Sequence, residues 1–185
     1  MNLPITSKEQ IISVCQRLAK EKGLSSISMR AVAAECNVSV GAIYNYFPSK
    51  SELLCAAIES IWKDIFHMTQ EPFEFTDFIE CLSWLFESIQ RGSRKYPQFL
   101  SSHAMALASE DKAIGQQMMA NYFVHLKTNL EEVLKNDTKI RKDAFSQSLS
   151  PALFVDYIFQ LFLASIVGAN QDYQGILELA GRYLY

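Results

Sequence analysis

The residues richest in chemistry stand together: Cys36-Asn37-Val38-Ser39-Val40-Gly41-Ala42-Ile43-Tyr44-Asn45-Tyr46-Phe47-Pro48-Ser49-Lys50-Ser51-Glu52-Leu53-Leu54. Ser39, Gly41 and Ala42 are small, so another molecule can come close to the backbone. Tyr44, Asn45 and Tyr46 add hydrogen-bonding tips, and Lys50 adds a positive charge. Ile43 and Phe47, four apart, share one inward helical face. A short surface helix of this composition is suited to being pressed against something.

Catalysis finds little support elsewhere. His67, His103 and His125 are far apart and match no H-x-x-x-H or H-E-x-x-H spacing, so no metal site is expected. No G-x-S-x-G, P-loop or Rossmann fingerprint occurs, so neither an enzyme nor a cofactor is expected. The four cysteines, Cys15, Cys36, Cys55 and Cys81, stand singly inside helical patterns, which fits reduced thiols in a cytoplasmic protein. Met1-Asn2-Leu3-Pro4 lacks the basic and apolar run of a secretory signal. Net charge is -3, yet residues 1–50 carry six Lys/Arg against three Glu, a basic N-terminal part on an acidic body.

Local signals set the elements around the motif. The first helix is expected to start at Thr6 or Ser7, where Thr6-Ser7-Lys8-Glu9 has the form of a capping box with Glu9 three residues after Thr6. Ile11, Ile12, Cys15, Leu18 and Ala19 then follow on one helical face, and Gly23 ends that helix. Ser28 caps a second helix with Met29, Val32, Ala33 and Cys36 inward. Asn37 tolerates the left-handed turn that follows. Ser39 caps the third helix, Pro48 forbids its continuation, and Ser49-Lys50-Ser51-Glu52 opens a fourth. Three helices within about fifty residues, the second and third joined by a tight turn, form a helix-turn-helix layout.

From about Ile11 to Leu54 the sequence resembles the TetR-type transcriptional regulators. The resemblance is carried by Met29-Arg30-Ala31-Val32-Ala33, then Val38-Ser39-Val40-Gly41-Ala42-Ile43-Tyr44-Asn45-Tyr46-Phe47 and Lys50. Asn37 stands where that family often has Gly, and Tyr46 where it often has His. The resemblance implies that the third helix enters the DNA major groove. Ser39, Val40, Gly41 and Ala42 would then face base edges, with Arg30 and Asn45 as further reach. Ser28, Tyr44, Tyr46 and Lys50 would hold phosphate. One such module should bind weakly, so a dimer on a palindromic double-stranded DNA site is expected.

Beyond residue 54 the pattern remains helical, giving an all-α chain. Residues 1–50 are read as the DNA-binding domain, and 51–185 as a larger helical ligand-binding and dimerisation domain. Helices are expected from Ser49 to about Gln70, from Thr76 to near Gly92, from Pro97 to Ala108 and from Asp111 towards Lys135. Asn136 to Gln147 is polar and reads as a mobile loop or frayed turn. Two further helices follow, from Ser150-Pro151 to about Gly168 and from Tyr173 to Leu184. The first is apolar all round, which predicts burial on every side. Asp156 and Gln160 interrupt it and no Lys/Arg cluster flanks it, which argues against a membrane span. The resemblance implies that these two helices pair with their copies in a homodimer. It also implies an apolar or aromatic effector in a pocket among the middle helices. Trp62, Phe66, Trp84, Phe99, Met105, Tyr122 and Phe159 are the candidate lining, and Glu87, Asp156 and Gln160 the candidate polar contacts. The expected function is a ligand-released repressor. The alternative is a DNA-binding protein of the same build that acts architecturally or through a protein partner.

Overall fold

A helix needs its first N–H groups satisfied, and the first four helices all begin on a serine that does this. They are α1 (Lys8–Lys22), α2 (Met29–Glu35), α3 (Val40–Tyr44) and α4 (Lys50–Ile65). The Oγ atoms of Ser7, Ser28, Ser39 and Ser49 accept from the N–H of Gln10, Ala31, Ala42 and Glu52 at 3.1–3.2 Å. Each such cap contributes about 1 kcal/mol. The capping box of α1 is one residue later than expected. Ser7, not Thr6, is the cap, and its own N–H donates to Gln10 Oε1 at 3.0 Å. Gly23 takes φ 79°, a conformation an L side chain resists, and lets the chain turn into a short 3₁₀ segment, Leu24–Ser26. Asn37 adopts φ 53°, the left-handed turn expected between α2 and α3.

The computed structural model describes residues 6–66, 75–96, 99, 112–167 and 173–185, with backbone alone at 112–122 and 166–167. The later helices are α5 (Phe78–Lys95), α6 (Lys112–Asn136), α7 (Pro151–Val167) and α8 (Gln174–Leu184). The protein is all-α. The helix expected at 97–108, and Met68 and Gln70 of the expected fourth helix, lie outside the described residues. No described helix is long and apolar enough to cross a membrane.

The chain divides into two compact units, Met1–Met68 with Arg91–Met119, and Thr69–Gln90 with Ala120–Tyr185. In the first, α1 packs on α4 and α2 on α3. Ile11, Cys15, Leu18, Val32, Ile43, Phe47, Leu53 and Ile61 are among its buried side chains. This unit takes in more than residues 1–50, because α4 and the last turn of α5 belong to it. α5 was expected to end near Gly92 and runs on to Lys95. Gly92 lies inside the helix, where a Cβ would stand 2.7 Å from Ile65 Cγ1, so the glycine permits close approach.

In the second unit α7 packs on α8. Phe78, Leu82, Leu85, Leu126, Leu130, Val155, Ile158 and Phe162 are buried there. Asp77, not Thr76, caps α5, its Oδ1 accepting from the Glu80 N–H at 2.9 Å. The stretch after α6 is not the loose polar loop expected, because its polar groups have distant partners. Asp137 is only 6% exposed. It accepts from the Phe78 and Lys139 N–H groups, both at 2.9 Å, and from the Tyr185 hydroxyl. The Arg141 N–H donates to Leu184 C=O at 2.9 Å, and the Tyr183 hydroxyl donates to the buried Ala144 C=O. One carboxylate thus joins the start of α5, the loop and the end of α8.

Replacing Asp137 with Ala strands three donors, two of them backbone N–H groups. A loss of about 3 kcal/mol in urea unfolding is expected, against about 1 kcal/mol for Tyr185→Phe. Asp77 gives a pH signature. The Glu80 N–H, and then Lys139 at 3.0 Å, hold its carboxyl below the ordinary value. Its contribution is therefore present above the ordinary carboxylate range, near pH ~4, and is lost as pH falls further. Asp77→Asn should flatten the acid limb of stability against pH.

Candidate nucleic-acid interface

α3 is five residues long and is held from behind. Ile43 and Phe47 are buried as their spacing requires, so the opposite side of the helix must face out. Ser39, Gly41 and Asn45 are exposed, Val40 and Ala42 half-buried, and Tyr44 is 48% exposed. The outward face is therefore small at its start and polar at its end. Arg30 is exposed in the first turn of α2, and Lys50 is exposed at the first residue of α4. Ser28, Ser39 and Ser49 accept as caps, and an accepting hydroxyl still has its own proton to give to a phosphate. The start of α4 adds the positive end of a helix dipole beside Lys50.

Gly41 carries particular weight. It sits inside a helix at negative φ, where glycine costs about 1 kcal/mol relative to alanine. A Cβ there would meet only Ser39 Oγ, at 3.8 Å, an ordinary contact. Neither backbone geometry nor internal packing asks for glycine.

Tyr46 departs from the expected phosphate role. Its hydroxyl is part-buried and donates to Thr6 C=O at 2.6 Å, so its proton serves to hold the segment before α1. Two further contacts were not visible in the sequence. Arg17 pairs with Glu35 at 2.6 Å, which withdraws one cation from the basic head, and Lys8 Nζ lies 5.5 Å from the centre of the Phe47 ring. Both join residues far apart in sequence, where no local spacing signals them.

The expected effector residues fall in both units. In the first, Trp62 is buried and stacks on Phe66 at 5.6 Å and meets Phe99 edge-on at 5.2 Å. In the second, Trp84 lies 5.5 Å from Phe75, and Phe159 packs on Phe123 and Phe162 at 5.3 and 5.6 Å. Met105 and the side chain of Tyr122 lie outside the described residues. Three polar expectations are corrected. Asp156 pairs with Lys127 at 2.7 Å, tying α7 to α6, so its charge is already answered. Glu87 and Gln160 are exposed on their helices rather than enclosed. Among the described residues, no group of three or more His, Cys, Asp or Glu could hold a metal.

Nor is α7 buried on every side within one chain. Tyr157 is 51% and Leu161 42% exposed, with Gln160 and Ala164 exposed beside them, a stripe at helical spacing. On α8, Leu179 is 56% exposed. Tyr157, Leu161 and Leu179 border an apolar groove of about 450 Å³ that Arg182 and Tyr183 also line.

Residues 11–57 match the family model described as bacterial regulatory proteins, tetR family. Over these residues the chain is similar to the TetR family. An HTH-type transcriptional regulator of Haemophilus influenzae is 29% identical over 169 residues, 89% of this chain and 81% of that protein. The HTH-type transcriptional repressor KstR of Rhodococcus jostii is 28% identical over 67% of this chain, which spans 61% of the repressor's length. The solved multidrug binding protein EbrR, complexed with ethidium, shares the fold at a TM-score of 0.65 and 16% identity. That match covers 96% of this chain and 98% of EbrR.

The N-terminal head separates two kinds of substitution. Gly41→Ala should raise thermal stability by up to about 1 kcal/mol, while duplex binding falls by about tenfold or more because the added methyl meets DNA. Tyr44→Phe should weaken binding to all sequences alike in a duplex titration. Tyr46→Phe should instead lower head stability by about 1 kcal/mol and leave binding nearly unchanged.

Proposed function

We propose that this protein is a dimeric transcriptional repressor that binds a palindromic operator and leaves it when a small molecule binds. The observation that carries the reading is the outward face of α3, where Gly41 has no internal reason to be glycine. Bases would meet Ser39 to Ala42. Tyr44, Lys50, Ser28 and the start of α4 would hold phosphates, with Arg30 and Asn45 extending the reach.

Dimerisation follows from charge and from surface. The head has a small basic excess, and one of its cations, Arg17, is paired with Glu35, so a single copy gains little from counterion release. Two copies double the phosphate contacts. The stripe of Tyr157, Leu161 and Ala164 on α7, with Leu179 on α8, is the surface we assign to the second copy. An apolar or aromatic effector is favoured by the aromatic content of both units, and EbrR supplies a relative of the same fold with such a ligand. Release is a population shift: the effector binds better to one spacing of the two heads, and the operator prefers the other.

Footprinting on the DNA upstream of the protein's own coding sequence tests the reading. A protected palindrome, with affinity falling steeply as salt rises, is expected. Equal binding to random duplex would sink the repressor assignment. Leu161→Asp together with Leu179→Asp should give a monomer in sedimentation that keeps weak non-specific binding and loses the operator. A dimer that survives the double change would place the seam elsewhere.

A further inference from the structure

The bond that withdraws Tyr46 from phosphate brings another group to the same corner. Thr6, whose C=O takes the Tyr46 proton, stands directly before Ser7, the cap of α1. The start of α1 is thereby docked just past the end of α3. Lys8 is the first residue of α1, and its Nζ lies 5.5 Å from the centre of the Phe47 ring. Phe47 is 2% exposed and Lys8 is exposed, so the ammonium covers a core ring from the solvent side. Phe47 in turn runs directly into Pro48-Ser49-Lys50, the turn and start of α4. From this corner α1 and α4 run side by side, and Gln16 Nε2 donates to Ser60 C=O at 3.1 Å further along both. Two helices thus start together, each opened by a capping serine and a lysine.

A lysine on a ring is not neutralised. The ring takes one side of the ammonium, and the other N–H donors and the whole charge remain available. Arg17 differs, because Glu35 answers its charge at 2.6 Å. Glu9, the carboxylate next to Lys8, is held below its ordinary value by its own backbone N–H and then by the Ser7 hydroxyl, so it is engaged at the helix start. Stability is a weak reason for the lysine. An exposed cation on a ring adds little, and an apolar side chain would cover Phe47 as well.

We propose that Lys8 is a phosphate-binding residue of the head, so that two lysines hold the DNA backbone, Lys8 at the start of α1 and Lys50 at the start of α4. The inference rests on the DNA-binding reading above and extends its contact surface to α1. Lys8 lies outside residues 11–57, where the chain matches the family model, so the contact belongs to this chain's own sequence. It carries no base preference, because an ammonium is a point charge that meets phosphate alike beside any base pair. In a dimer the contact counts twice.

The test uses the full chain, the footprinted upstream duplex and a random duplex of equal length, titrated over a range of salt. Lys8→Met keeps an apolar stem over Phe47 and removes the charge, while Lys8→Arg keeps both. In Lys8→Met the slope of log affinity against log salt should shrink by about 0.9 per lost contact, so by about 1.8 for a dimer. Affinity should fall roughly tenfold on both duplexes alike, and Lys8→Arg should stay near the wild type. Lys63→Met removes a lysine paired with Glu59 near the far end of α4 and should leave the slope unchanged. An unchanged slope in Lys8→Met overturns the proposal. So does an equal change in Lys63→Met, which means a diffuse charge effect. Loss on the operator alone at a kept slope also overturns it, since Lys8 then acts through the shape of α3. Should Lys8→Met fail to fold by thermal melt, Lys8→Gln decides by the same slope. Failure of the DNA-binding reading shows instead in the wild type, as no salt-dependent binding to either duplex.

Discussion

A five-residue helix cannot hold itself together in water, since fixing its first turn costs more than its few hydrogen bonds return. α3 exists because Ile43 and Phe47 are pulled into the core of the first unit and because Ser39 satisfies its opening N–H groups. Everything the head presents depends on that inward attachment. On the outer face, Gly41 meets no internal contact that fixes its identity, and so it can be chosen for an external task. Gly41 is where this freedom is most visible, because it lowers helix stability and the fold makes no use of it. The helix behaves as a thin plate fixed from behind, with Tyr44 at its rim.

What was legible in the sequence follows the range of the interactions involved. Serine caps, the proline stop at Pro48 and the left-handed Asn37 act over three or four residues, and all three were readable. The shift of the first cap from Thr6 to Ser7 shows the limit of even this range. Both residues offer a hydroxyl with an acceptor three positions on, and only packing of Thr6 decides between them. The role of Gly92 was not readable, because it is defined by Ile65, which is far away in sequence. The loop after α6 was misread because polarity alone suggests solvent, whereas Asp137 finds its donors at Phe78 and Tyr185. Of the expected DNA residues, Tyr46 was the one whose hydroxyl a distant backbone had already claimed.

The acidic body has a physical explanation that does not involve a ligand. Asp64 joins α4 to α5, Asp77 caps α5 and binds Lys139, Asp137 gathers three segments, and Asp156 joins α7 to α6. Each carboxylate is spent on a crossing between elements distant in sequence. The arrangement suits a helical protein whose elements share few backbone hydrogen bonds with one another: side chains must fix their register, and a charged pair fixes it at low cost where water still reaches.

That accounting changes what an effector would recognise. A carboxylate facing an aromatic cavity would favour a cation, and Glu87 and Asp156 were the carboxylates among the expected polar contacts. With Lys127 at 2.7 Å the pair presents little net charge, so Asp156 cannot be the source of such selectivity. Should the aromatic clusters around Trp62, Phe66 and Phe99 in one unit, or around Trp84 or Phe159 in the other, receive the proposed effector, selection would rest on shape and aromatic contact. Sites of that kind accept flat apolar molecules over a broad range, because stacking discriminates by size and planarity more than by functional group. A regulator built so would trade fine discrimination of its ligand for breadth, and would keep its specificity at the other end, in the few small residues of α3.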